Sequence, residues 1–243
     1  MPIHASIEPL AWETEFFAIN SAKLSFSAAA PVLAEVDLAA YALIQAKIPA
    51  HQTTWADDLA SLGFQLVEGE VDLVLNIGTE CASPQSAKPQ AIRPAVPGDI
   101  PALRAVAASV FTASRFRAPW YDVQDSGRFY AEWIEKAVLG TFDHQCLLAL
   151  DDSGQPEGFV SLRELGDQEA RIGLLAAFPG ASGKGIGSRL MAAAIAECRQ
   201  RSLQRLRVAT QLGNLAALRL YQRQGAVIES TSYWLYRGKH DPI

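Results

Sequence analysis

Apolar and polar positions recur with two different periods along this chain, and the places where the period changes mark out its elements. A spacing near 3.6 over Pro31 to Ala46 and over Trp55 to Leu62 predicts helices, whereas alternation from Phe64 to Leu75 predicts a strand. Periodicity then fails where Pro84, Pro89, Pro94 and Pro97 stand among Ser, Gln and Ala, so residues 79–91 read as a linker. Beyond it the pattern predicts a strand at Ala91 to Pro94, helices at Ile100 to Thr112 and Ser126 to Leu139, and strands at Gln145 to Leu150, Gly158 to Glu164 and Ala170 to Ala177. A helix at Gly185 to Ser202, a strand at Leu206 to Thr210, a helix opening at Asn214 and two final strands within Ala226 to Tyr236 complete the reading. The expected organisation is an α/β chain with a smaller unit at 1–78, the linker at 79–91 and a larger unit at 92–237.

Composition narrows the partners. The chain has 243 residues, 49% of them hydrophobic, enough for a sizeable core. A net charge of −5 argues against nucleic acid or an anionic membrane surface as the main partner. No apolar run approaches the ~20 residues that span a bilayer, and Met1 to Glu15 has no basic region followed by an apolar stretch, so a cytoplasmic location is expected. Cys81, Cys146 and Cys198 are odd in number and far apart, and His4, His51, His144 and His240 form no cluster; neither disulfides nor a metal site are expected.

The candidate chemistry begins at Ser182-Gly183-Lys184-Gly185-Ile186-Gly187-Ser188, between a predicted strand and an alanine-rich predicted helix. Glycines leave backbone N–H groups unobstructed where the helix begins, and a helix N-terminus attracts anions, most often phosphate. A P-loop is excluded because the required places hold Phe178 and Gly185, and a dinucleotide fingerprint because its third glycine would be Ser188. About thirty residues later comes Asn214, suited to cap a helix, then Tyr221, with Gly225 and Ala226 ending the segment.

Together these two motifs resemble those of the GCN5-related N-acetyltransferase (GNAT) superfamily, whose acetyl-coenzyme A loop reads Gln/Arg-x-x-Gly-x-Gly/Ala and is followed by Asn, a Tyr seven residues on, and Gly. The match falls on Gly185, Gly187, Asn214, Tyr221 and Gly225, with Ser182 where the family usually has Gln or Arg. The resemblance implies a GNAT-type mixed sheet flanked by helices and acetyl-CoA as co-substrate. It implies that residues 182–188, Asn214 and Arg219 bind the coenzyme and that backbone groups at Leu174, Leu175 and Ala176 hold its pantetheine arm and polarise the thioester. It also implies that Tyr221 gives a proton to the departing sulfur; a phenol of pKa about 10 and a thiol of about 8.5 are close enough for that.

On the acceptor side, alternation puts Glu68, Glu70 and Asp72 on one strand face and Val67, Val71 and Leu73 on the other. Three carboxylates with no Lys or Arg nearby in sequence are either plain solvent exposure or a site for an amine, whose proton one of them would take. The cluster Arg115, Arg117, Trp120 and Tyr121 offers donors for phosphate and flat faces for a base or sugar, or else is an ordinary anchored loop; Arg163 is a further candidate for the same pocket. Ala5 to Leu10, Leu62 to Leu73, Ser114 to Tyr121, Gly140 to Cys146 and Glu229 to Arg237 are similar to nucleotide-sugar members of the superfamily. That similarity implies that the 1–78 unit contributes to a sugar site where Glu68 faces the amine. The acceptor it implies is dTDP-4-amino-4,6-dideoxy-D-galactose, as used for enterobacterial common antigen. Alternatives are an acetyltransferase for another amine and a non-catalytic acyl-CoA sensor. Exposed strand edges in such a fold also leave room for a homodimer.

Overall fold

The computed structural model describes residues 3–78, 91–181 and 183–238. Of the expected linker only residue 91 is among them; Ser182 and Cys81 also lie outside the described residues.

One ten-stranded mixed sheet organises the chain, in the order β1-β2-β3-β10-β4-β9-β8-β7-β6-β5. The strands are β1 Ala5–Pro9, β2 Ser21–Phe26, β3 Leu43–Pro49, β4 Gln65–Asn76, β5 Ile92–Pro94, β6 Gln145–Leu150, β7 Pro156–Gly166, β8 Glu169–Ala177, β9 Arg205–Gln211 and β10 Val227–Gly238. The helices are α1 Ala11–Phe17, α2 Glu35–Leu38, α3 Thr53–Ser61, α4 Ile100–Val110, α5 Asp125–Val138, α6 Ile186–Gln200 and α7 Leu215–Arg223. Two pairs, β2–β3 and β8–β9, are parallel and the rest antiparallel. The sheet runs unbroken past the linker: β4 ladders with β9, and β10 lies between β3 and β4.

Two expectations are corrected. The helix expected over Pro31 to Ala46 shrinks to the single turn of α2, and its end becomes β3. Lying between β2 and β10, β3 is buried on both faces at Leu43, Ile44, Gln45 and Ala46, so alternation is erased and the run mimics an apolar helix segment. The two strands expected at the end are one, β10, whose register against β4 shifts at Ile228/Ser230 and at Trp234/Leu235. The elements β1, α1 and β2 were not anticipated.

Each sheet face carries its own core. On one, Ile186, Leu190, Met191 and Ala194 of α6 and Tyr221 of α7 pack against Val71, Leu73, Val160, Ile172 and Val208. On the other, Leu103 and Ala107 of α4 and Tyr130, Ile134 and Ala137 of α5 cover Cys146, Leu148, Phe159, Leu174 and Ala176. The α2–α3 region closes over β1 to β3, and an aromatic cluster joins α1, residues 116–121 and β10. Cys146 and Cys198 are buried free thiols; burial pushes the first up to about 12 and the second to about 11.

Candidate active site

The centre of the sheet is notched. Parallel strands β8 and β9 pair only from Glu169–Arg205 to Ile172–Val208, although β8 continues to Ala177 and β9 to Gln211. Separation starts at a bulge in β8: its register against β7 passes from Leu162↔Ile172 to Val160↔Leu175, so Gly173 and Leu174 together face Ser161. A buried polar chain holds the bulge. The Leu174 N–H donates to Ser161 Oγ (2.9 Å), Ser161 Oγ donates to Asp143 Oδ2 (2.5 Å), and Trp133 Nε1 donates to the same oxygen (2.8 Å). The Phe178 N–H donates to Glu157 O on β7, so by alternation the Ala176 N–H also faces β7, and that of Leu175 faces the notch. Of the three residues expected to present backbone donors, Leu174 is therefore committed to Ser161 and Leu175 is the one aimed into the opening.

The glycine loop follows β8 directly. Gly180, Gly183 and Gly185 all have φ near +80°, and a Cβ on any of them would meet nothing within 4 Å, so the loop leaves open space above its backbone. Helix α6 starts at Ile186 with no side-chain cap, leaving the first N–H groups of a 15-residue helix for an outside acceptor. Lys184 and Ser188 are exposed there, whereas the side chain of Ile186 is buried and can contribute only backbone. Gly187 lets α7 approach: a Cβ there would fall 2.8 Å from Leu220 Cδ2.

Asn214 caps α7 by accepting from the Ala217 N–H at 3.2 Å, and Gly225, at φ +90°, ends the helix. Arg219 is exposed on that helix. Tyr221 is buried, and its hydroxyl makes no hydrogen bond among the described residues; burial pushes it up to about 12. It is therefore a phenol throughout the neutral range.

From Glu68 onward strand β4 keeps the expected faces, with Val71 and Leu73 buried and Glu68, Glu70 and Asp72 half-buried opposite them; Val67, expected on the face of Val71, is instead the extra residue of the β4 bulge and is buried in the aromatic cluster with Phe116 and Tyr236. The expectation of three carboxylates without cations is corrected. Lys47 of β3 reaches across β10 to Glu70 (2.5 Å) and Asp72 (3.2 Å), and Arg171 lies 3.5 Å from Asp72. Glu70, which also accepts from Trp234 Nε1 at 3.1 Å, is held below the usual carboxylate range by Lys47 despite its burial. Glu68 has no ion pair within 4 Å among the described residues and accepts only from the Gly69 N–H, at 2.9 Å. Desolvation, aided by the charge of Glu70, raises its pKa against the opposing pull of Gly69 and Arg117. Glu68 and Tyr221 thus approach from opposite faces of the sheet.

The 114–121 cluster differs most from expectation. Arg115 spends its donors inside the protein, on Gln45 Oε1 (2.8 Å) and the Tyr236 hydroxyl (2.5 Å), with Glu13 3.9 Å away and the rings of Phe116 and Trp234 on its faces. Tyr121 is buried, its hydroxyl accepting from Gln45 Nε2 at 3.0 Å, and is no stacking surface. Trp120 packs on Tyr236 and against Gly238. Arg117 donates to Ala118 O and to Val67 O (3.1 Å), bracing the β4 bulge beside Glu68. Arg163 lies apart from all of these, over the Phe142 ring with its Nε 3.9 Å from Asp143 Oδ1. Sequence reasoning missed Asp143, Ser161, Trp133, Lys47 and Gln45. Only Gly173, a glycine inside a strand pattern, signalled the bulge that the first three support.

Comparison with known proteins agrees with this geometry. Residues 109–226 match the family model described as "Acetyltransferase (GNAT) family". The chain is 51% identical to dTDP-fucosamine acetyltransferase of Escherichia coli O6:H1, over 98% of this chain and all of that protein. It is 30% identical to the spore coat polysaccharide biosynthesis protein SpsD of Bacillus subtilis, over 59% of this chain and 49% of that one. A GCN5-related N-acetyltransferase from Sphaerobacter thermophilus superposes with TM-score 0.59 at 20% identity, covering 83% of this chain and 61% of its own. A conserved protein of unknown function from Staphylococcus epidermidis gives 0.62 at 15% identity, covering 98% and 92%.

Proposed function

The chain belongs to the GNAT acetyltransferase family, and on that premise we propose that it moves the acetyl group of acetyl-CoA to the amine of dTDP-fucosamine, or dTDP-4-amino-4,6-dideoxy-D-galactose. The observation that carries the reading is the placement of Glu68 and Tyr221. A carboxylate of raised pKa with no ion pair within 4 Å among the described residues and a neutral phenol stand on opposite faces of a sheet whose notch leads into an open, uncapped glycine loop. The identity to dTDP-fucosamine acetyltransferase over nearly the whole chain supports the choice of acceptor.

Acetyl-CoA fits the notch and loop by their chemistry: unblocked backbone donors at a helix N-terminus for the pyrophosphate, and a free strand edge for the amide groups of the pantetheine arm. The Leu175 N–H, aimed into the opening, stabilises charge developing on the thioester oxygen. Glu68, directly or through a water, takes the proton that the amine loses as its nitrogen bonds to the acetyl carbon. The C–S bond breaks as that N–C bond is completed, and Tyr221 gives its proton to the departing sulfur. At about 12 the phenol lies further from an ordinary thiol of about 8.5 than its free value does. The thiolate leaves into the same desolvated surroundings, which raise its own proton affinity and narrow the gap.

Residues 1–78 belong to the acceptor side in this reading, since they supply Glu68 and the cation Lys47 that neutralises its neighbours. No helix of the described residues is long and apolar enough to cross a membrane, which supports a cytoplasmic enzyme. The edge strand β1, whose outer side is covered at its start by residues 31–33 and has no paired strand beyond them among the described residues, supports a homodimer in the same proposal. Release of coenzyme A is the test, with dTDP-fucosamine offered beside spermine and a peptide with a free N-terminus. Release confined to the nucleotide sugar is expected; release only with another amine would overturn the acceptor assignment.

A further inference from the structure

The internal commitments of Arg115 and Tyr121 leave the nucleotide of the acceptor without the site that their sequence suggested, and the molecule offers another. Between α1 and α5 lies a cavity of about 260 Å³ lined by Trp12, Phe129, Glu132, Trp133, Lys136 and Phe142. Positions 129, 132, 133 and 136 form one stripe of α5, facing away from the buried stripe of Tyr130, Ile134 and Ala137. Trp12 and Phe142 are 44% and 43% exposed; Trp12 is stacked on Phe16 with Lys136 over its ring, and Arg163 lies over Phe142, so each ring keeps only part of its surface for a ligand. The volume falls just short of the ~300–1,000 Å³ of a pocket for a whole drug-sized ligand, as suits a site holding one ring system of a longer molecule.

One cation, Lys136, lines the cavity, and a second, Arg163, lies against the ring of Phe142, one of its walls. Lys136 Nζ sits 5.1 Å from the Trp12 ring centre and, among the described residues, pairs with Glu132 alone. Arg163 is more telling. Its guanidinium lies 4.5 Å from the centre of Phe142, and it makes no hydrogen bond among the described residues. Its buried Nε and the buried Asp143 Oδ1 stand 3.9 Å apart, each without a hydrogen-bond partner. Of the Arg163 donors the Nε is the one buried without a hydrogen-bond partner among the described residues, and the rest of the guanidinium, which reaches solvent, is free to meet an anion.

We propose that this aromatic cavity binds the nucleoside of the acceptor, its base against Trp12, Trp133 and Phe142 and its diphosphate at Arg163 and Lys136. The inference rests on the nucleotide-sugar reading above. It also fits the reaction: Trp133, one wall of the cavity, donates to the Asp143 that holds Ser161 and the β8 bulge, so one side chain separates the nucleotide from the structure lining the notch.

The test is calorimetric titration of dTDP into the wild-type protein and the Trp12→Ala, Arg163→Gln and Arg117→Gln variants, with KM for acetyl-CoA measured in parallel. Arg163→Gln should weaken dTDP binding about tenfold to a hundredfold, the effect of losing hydrogen bonds to a charged group. Trp12→Ala, on an exposed ring, should weaken it about tenfold through lost stacking. KM for acetyl-CoA should stay within about twofold in both, which separates a nucleotide contact from general disruption. Unchanged dTDP affinity in Trp12→Ala and Arg163→Gln, or weakening confined to Arg117→Gln, would overturn the inference and leave the enzyme's function standing. Absence of dTDP binding to the wild type would also overturn it, and if dTDP-fucosamine were not acetylated either, the functional reading would fall with it.

Discussion

Gly173→Ala tests whether the notch is built as described. A Cβ at this position would lie 2.2 Å from Asp143 Oδ2, 2.8 Å from Ser161 Oγ and 3.0 Å from Asp143 Cγ. Carbon and oxygen need well over 3 Å, so the carboxylate must retreat by about 1 Å or the strand must move. Asp143 is fully buried, and retreat breaks the hydrogen bonds it accepts from Ser161 and Trp133. Hydrogen bonds to a charged group contribute about 1.5–3 kcal/mol each, and forcing a methyl into a filled core costs about 1–3 kcal/mol. With partial relaxation the loss should be about 3–5 kcal/mol, or a fall in Tm of about 10 °C for a chain of this size. Displacing Leu175 should also lower kcat about a hundredfold, as removal of one oxyanion donor does. Thermal unfolding and acetyl-transfer kinetics measure both, with Gly98→Ala as control because a Cβ there meets nothing within 4 Å. A Gly173→Ala protein melting within 2 °C of wild type with kcat within about threefold would show that neither the bulge nor the Asp143 chain sustains the site.

Three further outcomes are expected. Tyr221→Phe should lower kcat by about 10²–10⁴ while leaving KM for acetyl-CoA nearly unchanged, whereas a non-catalytic sensor would lose nothing measurable in ligand binding or signal. In a pH profile of kcat the rate should fall as pH drops through the raised pKa of Glu68, since the base works as the carboxylate. Glu68→Gln should remove that limb, and no alkaline limb from Tyr221 should appear below pH 10, because burial pushes the phenol up to about 12. Asp99→Ala should cost about 1 kcal/mol in urea unfolding at pH 7, since Asp99 pairs with Arg93 (2.7 and 2.8 Å) and accepts from the Val96 N–H ahead of α4. Its folded pKa lies below the ordinary value, so this stability is present above the unfolded pKa and lost as pH falls through the folded one; an undiminished difference at pH 2 would contradict the assignment.

What could be read from the sequence, and what could not, divides by distance along the chain. The glycine loop, the Asn214 cap, the Gly225 stop and the alternation of β4 from Glu68 onward are local devices, set by backbone conformation and neighbours within one turn or one strand, and each lies where its pattern put it. Failures came where a distant partner decides. Lys47 answers Glu70 from 23 residues away, and Arg171 answers Asp72 from 99. The phenol of Tyr236 occupies Arg115 from 121 residues away. Local pattern gives the chemistry a side chain can do, but only the fold says whether that capacity is already used. By that criterion the three carboxylates of β4 reduce to Glu68, whose nearest polar partner is its own neighbour's N–H. The arginines expected at the nucleotide reduce likewise, because Arg115 is consumed by Gln45 and Tyr236 and Arg117 by two backbone carbonyls, while the Arg163 guanidinium, 3.9 Å from Asp143, makes no hydrogen bond among the described residues. Glu68 and Arg163 are thus the groups whose capacity the described residues leave in part unspent, and an amine and a phosphate are the ligands that capacity fits.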